Sequence, residues 1–115
     1  MHPGDTMRRV DALLSHVWMV RTFLKHSDEA TEDDELQEVH RELYDYMLAL
    51  GAPFSAGDAE SYLKMARKKL GKLRRIADTF RELQPDVSAH TNFRMAAQSL
   101  STVVDDIELL LNSGS

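Results

Sequence analysis

Apolar residues recur at intervals of three and four in four separate segments of this 115-residue chain. That spacing places them on one face of an α-helix, because a helix completes a turn every 3.6 residues. No segment shows the sustained alternation of period two that is typical of half-buried strands. The pattern therefore predicts an all-α fold.

The four predicted helices span about 6–26, 32–50, 58–83 and 87–111. Amphipathic helices joined by short loops bury their apolar faces most economically as an antiparallel bundle. We expect a four-helix bundle with up-down-up-down topology, forming one domain over residues 1–115. The apolar positions assigned to the second helix are Leu36, Val39, Leu43, Tyr44, Met47, Leu48 and Leu50.

The ends of these helices are predicted from residues that cap or break helices. Asp5 or Thr6 is expected to cap the first helix. Gly51 is interpreted as a left-handed stop that opens a loop over 51–57, and Asp58 as the cap of the next helix. Pro85 is expected to end that helix near Leu83 or Gln84, because proline interrupts helical hydrogen bonding.

The composition excludes several classes of protein. The chain has no cysteine, which excludes disulfides, thiolate metal sites and cysteine nucleophiles. With 43% hydrophobic residues the chain is too apolar for a disordered protein. No apolar run approaches the roughly 18 residues of a membrane span, and the first residues do not follow the order of a secretory signal. We therefore expect a cytoplasmic protein.

The histidines do not indicate a metal site. None follows a glutamate at the three-residue spacing of carboxylate-bridged iron bundles, and HExxH is absent. No nucleophile elbow, glycine-rich phosphate loop or pair of catalytic carboxylates is recognisable either. We expect no metal, no cofactor and no catalysis. The histidines are His2, His16, His26, His40 and His90.

Charge is separated along the chain although the net charge is only −5. Residues 28–42 contain eight acids and one base, and residues 61–81 contain eight bases and one acid. In a hairpin of the second and third helices these blocks would neutralise each other. The alternative is a nucleic-acid surface, although no aromatic residues interleave with the bases. Its residues would be Lys64, Arg67, Lys68, Lys72 and Arg75.

Arg21 lies near the middle of the apolar face of the first helix. A buried guanidinium needs polar partners to offset its lost hydration. Two arrangements remain open at this point. The stem packs while the head reaches water at the edge of the bundle, or the head pairs with an acid. The candidate acids are Asp45, Asp105 and Asp106.

Residues 21–26 read Arg-Thr-Phe-Leu-Lys-His. This stretch resembles the R-x4-H signature of HEPN ribonucleases, helical bundles that often dimerise, and the resemblance implies that Arg21 and His26 cleave RNA. In that family the motif normally lies near a later helix, whereas here it ends the first.

The chain is also similar to histidine phosphotransfer domains in length, helix content and acidity, with His90 as the implied acceptor. Residues 89–94 lack the Lys and Gly that typically follow that histidine.

The first helix is apolar almost all the way round, because Trp18, Met19, Val20 and Phe23 lie outside its central stripe. Such a helix is normally buried on two sides. These residue types are also favoured in protein interfaces. We therefore predict that this helix binds a second copy of the chain, forming a homodimer, or another helical protein. The competing interpretation is that the N-terminal arm or residues 52–54 cover these side chains.

Overall fold

The computed structural model describes residues 2–113. These residues form six α-helices and no strand, which confirms the all-α prediction. The helices are α1 (Pro3–Lys25), α2 (Asp28–Glu32), α3 (Asp34–Ser55), α4 (Ala59–Lys68), α5 (Leu70–Val87) and α6 (Thr91–Ser113).

The apolar faces of these helices meet in one core. Helix α1 packs against α3 and α6, and α5 packs against the same two helices. Helix α4 contacts α3 and also reaches α1. All six helices contribute buried side chains, and the largest that are fully enclosed are Tyr62 and Phe80. The core thus runs the length of a molecule measuring 42 × 23 × 19 Å.

Side-chain caps begin most of the helices. The Asp33 carboxylate accepts hydrogen bonds from the backbone N–H groups of Glu35 and Leu36 at 2.9 and 3.0 Å. Asp58 accepts one from Ser61 N–H at 3.1 Å, so the predicted cap is confirmed. The cap predicted for α1 was wrong. That helix begins at Pro3, and His2 Nδ1 accepts the hydrogen bond from Gly4 N–H.

Two predicted helix ends were also wrong. Gly51 does not stop α3, which continues through Pro53 to Ser55, and the left-handed turn is made by Gly57, with φ of 67°. Helix α5 likewise continues past Pro85 to Val87. Each proline lies in the last turn of its helix. Only two residues follow each proline within its helix. The backbone N–H that proline lacks therefore costs the helix one hydrogen bond near its end, and the following residues keep the helical conformation.

The predicted third helix is divided at Lys69 into α4 and α5. Helix ends leave backbone carbonyl groups without partners, and a buried one needs a donor. The hydroxyl of Tyr46, on α3, donates a hydrogen bond to the Ala66 carbonyl at 3.1 Å. A core side chain therefore satisfies a carbonyl at the end of α4.

The segments outside the long helices also differ from the predictions. The gap between the first two predicted helices contains the one-turn helix α2, capped by Ser27. The last helix begins at Thr91 instead of near residue 87. His90 lies just before it, and its Nδ1 accepts a hydrogen bond from Asn92 N–H at 3.0 Å.

The buried face of α3 is narrower than predicted. Its core residues alternate strictly at three and four positions, whereas Tyr44 and Leu48 are exposed. Tyr46 takes the core position instead. A helix with one side open to solvent buries only part of its circumference, so a run of apolar residues cannot all face inwards. The buried residues are Leu36, Val39, Leu43, Tyr46 and Leu50.

Candidate interaction surface

The four predicted contact residues of α1 have different positions in the structure. Met19 and Trp18 are exposed, with 66% and 45% of their surfaces accessible. Val20 is 5% accessible and belongs to the core, so it offers little surface to a partner. Phe23 is half-buried and meets Phe93 edge-on, with ring centroids 4.9 Å apart. The outer side of α1 is therefore apolar, but less so than predicted.

A groove of about 480 Å³ lies between α1 and the C-terminal half of α3. Trp18 and Met19 form its α1 side, and Phe54 stands on its α3 side. Phe54 also packs near Tyr62, with ring centroids 6.1 Å apart. The 52–54 segment thus borders the apolar side chains of α1 and leaves Trp18 and Met19 accessible.

A second groove, of about 320 Å³, separates α1 from the first half of α6. Met19 and Phe23 line it from α1, and Met95 lines it from α6. Since Met19 belongs to both grooves, it forms a ridge between two apolar depressions. We call the ridge and its two grooves the α1 surface. Its exposed apolar residues are Trp18, Met19, Phe54 and Met95.

The α1 surface carries little charge in a chain of which 29% of residues are charged. Asp11 is the one ionisable side chain that lines the α1–α3 groove, and uncharged residues line the α1–α6 groove beside Met19. Burial raises the pKa of Asp11. A region with few charges loses little hydration energy when it is covered, which suits contact with a protein.

Of the two arrangements predicted for Arg21, the pairing with an acid is not formed within residues 2–113. Its guanidinium carbon lies 4.8 Å from the centre of the Trp18 ring and 4.7 Å from that of Tyr44. Within residues 2–113 Arg21 makes no ion pair, and Asp105 contacts Arg74 at 2.7 Å instead. The two rings stabilise the cation through their π-electron faces.

A group of cations surrounds this stacked arginine. His40, on α3, has a lowered pKa because of burial and the nearby charges of Arg21, Arg41 and Lys25. His26 is exposed at the end of α1, and no hydrogen bond joins it to Arg21. Arg21 and His26, the pair implied by the HEPN resemblance, are therefore not joined by a hydrogen bond within one chain.

The basic block lies on α4 and α5 and is partly engaged within the molecule. Lys72 pairs with Glu42 across the α3–α5 contact at 2.7 Å, which joins the basic and acidic blocks. Arg67 donates from Nε to the Leu111 carbonyl at 2.9 Å. Lys64, Lys68 and Arg75 are exposed and make no ion pair within the described chain. Two of the five residues predicted to bind nucleic acid are therefore engaged within the molecule, and three remain exposed.

Two other kinds of site were sought. Over residues 2–113, no three His, Asp or Glu side chains converge so that they could hold a metal ion. None of the helices in that range combines the length and apolar character needed to cross a membrane.

No protein-family model matches this chain, and neither curated proteins nor solved structures gave a match. Any function proposed for it therefore rests on the geometry of the chain itself.

The contribution of α6 to the α1 surface was not predicted from the sequence, and residues 52–54 were expected there only as a cover. Phe54 was assigned to a loop, and Met95 was not singled out. Tyr44 was assigned to the core, although it stacks on Arg21 at the surface. Tyr44 and Trp18 are far apart in sequence, and only the α1–α3 packing places their ring centroids 6.5 Å apart.

Proposed function

We propose that this protein is a self-association module whose α1 surface binds the α1 surface of a second copy. The observation that carries the proposal is the Met19 ridge, which is 66% accessible and lies between two apolar grooves. In a twofold contact each copy presents the same patch, so a ridge beside a groove complements itself. A homodimer is the expected product.

The low charge of the two grooves is compatible with a second copy. Each chain has a net charge of −5, so contact between two copies is least unfavourable where few charged side chains lie. Of residues 2–113, Asp11 is the only ionisable one that lines the two grooves, although Arg21 contacts the Trp18 ring at their edge. The same feature disfavours nucleic acid there, since phosphate binding needs cations.

The fold proposed for each copy is a four-helix bundle with up-down-up-down topology, in which α4 and α5 together form the third rod. The packing of α1 and α5 against both α3 and α6 supports this arrangement. It leaves the outer side of α1 free for contact. A cytoplasmic location is proposed as well, with which the finding that no helix within residues 2–113 could span a membrane is compatible.

Sedimentation equilibrium of Met19→Glu over a range of concentrations tests the proposal. We expect wild type to form a dimer and Met19→Glu to remain a monomer, because two carboxylates would be buried at the contact. Leu48→Glu is the matched control. Leu48 is 61% accessible on α3 and lines neither of the two grooves. A monomeric wild type, or equal effects of both changes, would contradict the proposal.

The competing function is nucleic-acid binding or cleavage. Lys64, Lys68 and Arg75 would be free to contact phosphates, and Arg21 with His26 would be the cleaving pair. RNA and DNA binding should be titrated with salt, because binding through phosphate contacts weakens steeply as salt rises. Salt-sensitive binding that Lys64→Gln and Lys68→Gln weaken, by a chain that stays monomeric, would favour this function over self-association.

A further inference from the structure

A second feature of α1 goes beyond self-association. Six side chains from two helices lie beside the α1–α3 contact. Three of them are in contact, the other three are near enough for their charges to act on one another, and we call the six the Arg21 cluster. They are Trp18, Arg21 and Lys25 of α1 with His40, Arg41 and Tyr44 of α3.

The stacking of Arg21 determines which of its atoms can bind something else. The Arg21 guanidinium carbon lies over the Trp18 and Tyr44 rings, 4.8 and 4.7 Å from their centroids, which are themselves 6.5 Å apart. The two rings therefore meet the guanidinium from adjacent sides. The N–H groups that the rings do not contact suit two oxygens of one anion.

Two cations of the cluster, Arg21 and Lys25, make no ion pair within the described chain. The Nε of Arg21 is enclosed and has no hydrogen-bond partner, so only the other N–H groups of the guanidinium can meet a ligand from solution. An anion bound there would supply the charge partner that both side chains lack.

The charges that act on His40 also favour an anion at the Arg21 cluster. Besides burial, the charges of Arg21, Arg41 and Lys25 lower the pKa of His40. Arg41 has one exposed acidic neighbour, Glu38, with 3.6 Å between Nη1 and Oε2. Positive charge is therefore in excess, although the whole chain is acidic.

We propose that the Arg21 cluster binds a phosphate group, with the edge of the Arg21 guanidinium as a two-point donor and Lys25 as the second cation. A doubly charged phosphate matches several converging cations better than a carboxylate, which carries one charge. Free phosphate and the phosphate of a nucleotide share this chemistry. A nucleotide would also offer a base to the exposed Trp18 ring.

Fluorescence provides the test, because Trp18 is the only tryptophan in the chain. Inorganic phosphate, pyrophosphate and AMP are titrated at constant ionic strength, with the wild-type protein dilute enough to be monomeric. We expect a saturable change in Trp18 emission and a shift of the His40 ring resonances in NMR spectra. Comparable binding of phosphate and AMP would assign free phosphate, and much tighter binding of AMP would assign a nucleotide.

Variants locate the binding. Arg21→Gln and Lys25→Gln should each weaken binding at least about tenfold, because each removes a charge-assisted hydrogen bond. Arg21→Lys should bind with intermediate affinity, since it keeps the charge but loses the planar donor edge. Arg75→Gln is the control. Arg75 is exposed on α5 and lies outside the Arg21 cluster, so this variant should bind like wild type.

Helical circular dichroism shows whether each variant is folded. If Arg21→Gln does not fold, Lys25→Gln still tests the proposal, because Lys25 is exposed. The proposal is overturned if wild type gives no saturable response, or if Lys25→Gln and Arg75→Gln bind alike. Sedimentation of the same samples reports self-association separately, so failure of one proposal leaves the other open to its own test.

Discussion

Two buried tyrosines differ in whether their hydroxyl groups have partners. Tyr46 donates to the Ala66 carbonyl at the end of α4. Tyr62 is fully enclosed, and its hydroxyl has no partner within residues 2–113. A buried hydroxyl stabilises the fold only when it forms a hydrogen bond, because it loses its hydration in either case.

Replacing each tyrosine by phenylalanine should therefore have different effects. Tyr46→Phe should lower the free energy of unfolding by about 1 kcal/mol, because it leaves the Ala66 carbonyl without its donor. Tyr62→Phe should leave that free energy unchanged or raise it by up to about 1 kcal/mol. Urea denaturation measures both. Equal destabilisation by the two changes would show that the Tyr62 hydroxyl has a partner.

At the level of helices, glycine and proline have effects that depend on their position within each element. Gly51 lies inside α3, and a Cβ atom built on it meets nothing within 4 Å. Gly57 follows that helix with φ of 67°, a conformation that side chains other than glycine rarely adopt. One glycine weakens its helix, whereas the other makes the turn.

Alanine at these two positions should change stability in opposite directions. Gly51→Ala should raise the free energy of unfolding by about 0.5–1 kcal/mol, because it favours the helix. Gly57→Ala should lower it by about 1 kcal/mol or more, because it strains the left-handed turn. Thermal melts measure both changes. The protein is kept dilute so that self-association through the groove that Gly51 lines does not affect the comparison. Destabilisation by Gly51→Ala would instead support the helix stop that the sequence suggested.

Across the whole molecule, the packing of α3 against α4 connects ionisation to folding. Burial raises the pKa of Tyr46 above the ordinary value of 10, and burial together with Asp11 raises that of Tyr62. In the unfolded chain both phenols lose their protons near pH 10. Above that pH the unfolded state binds fewer protons than the folded state, so stability falls as the pH rises.

Alkaline titration should therefore unfold the protein cooperatively above pH 10. Tyrosinate absorbance of these two residues should appear together with the loss of helical circular dichroism. The double variant Tyr46→Phe/Tyr62→Phe should show a weaker dependence of its urea midpoint on pH between 9 and 11. Ionisation of both tyrosines in a chain that keeps its helices would contradict this expectation.

The candidate sites were only partly predictable from sequence. The apolar outer side of α1 was visible in Trp18 and Met19, because helical spacing alone places them off the central stripe. Met95 was not, since it reaches the α1 surface from another helix, and Phe54 was expected only as a cover from a loop. The Arg21 cluster likewise needs Tyr44 and His40 from α3. Sequence spacing describes one helix at a time and says nothing of its neighbours.

For the fold, local rules were sufficient to establish the helical class and the Asp58 cap, because both depend on interactions within a few residues. They failed at Gly51, Pro53 and Pro85, where the helices continue. They also placed Tyr44 in the core and Val20 outside it. Burial and helix ends depend on contacts between distant segments, whose packing energy exceeds the roughly 1 kcal/mol of a local preference.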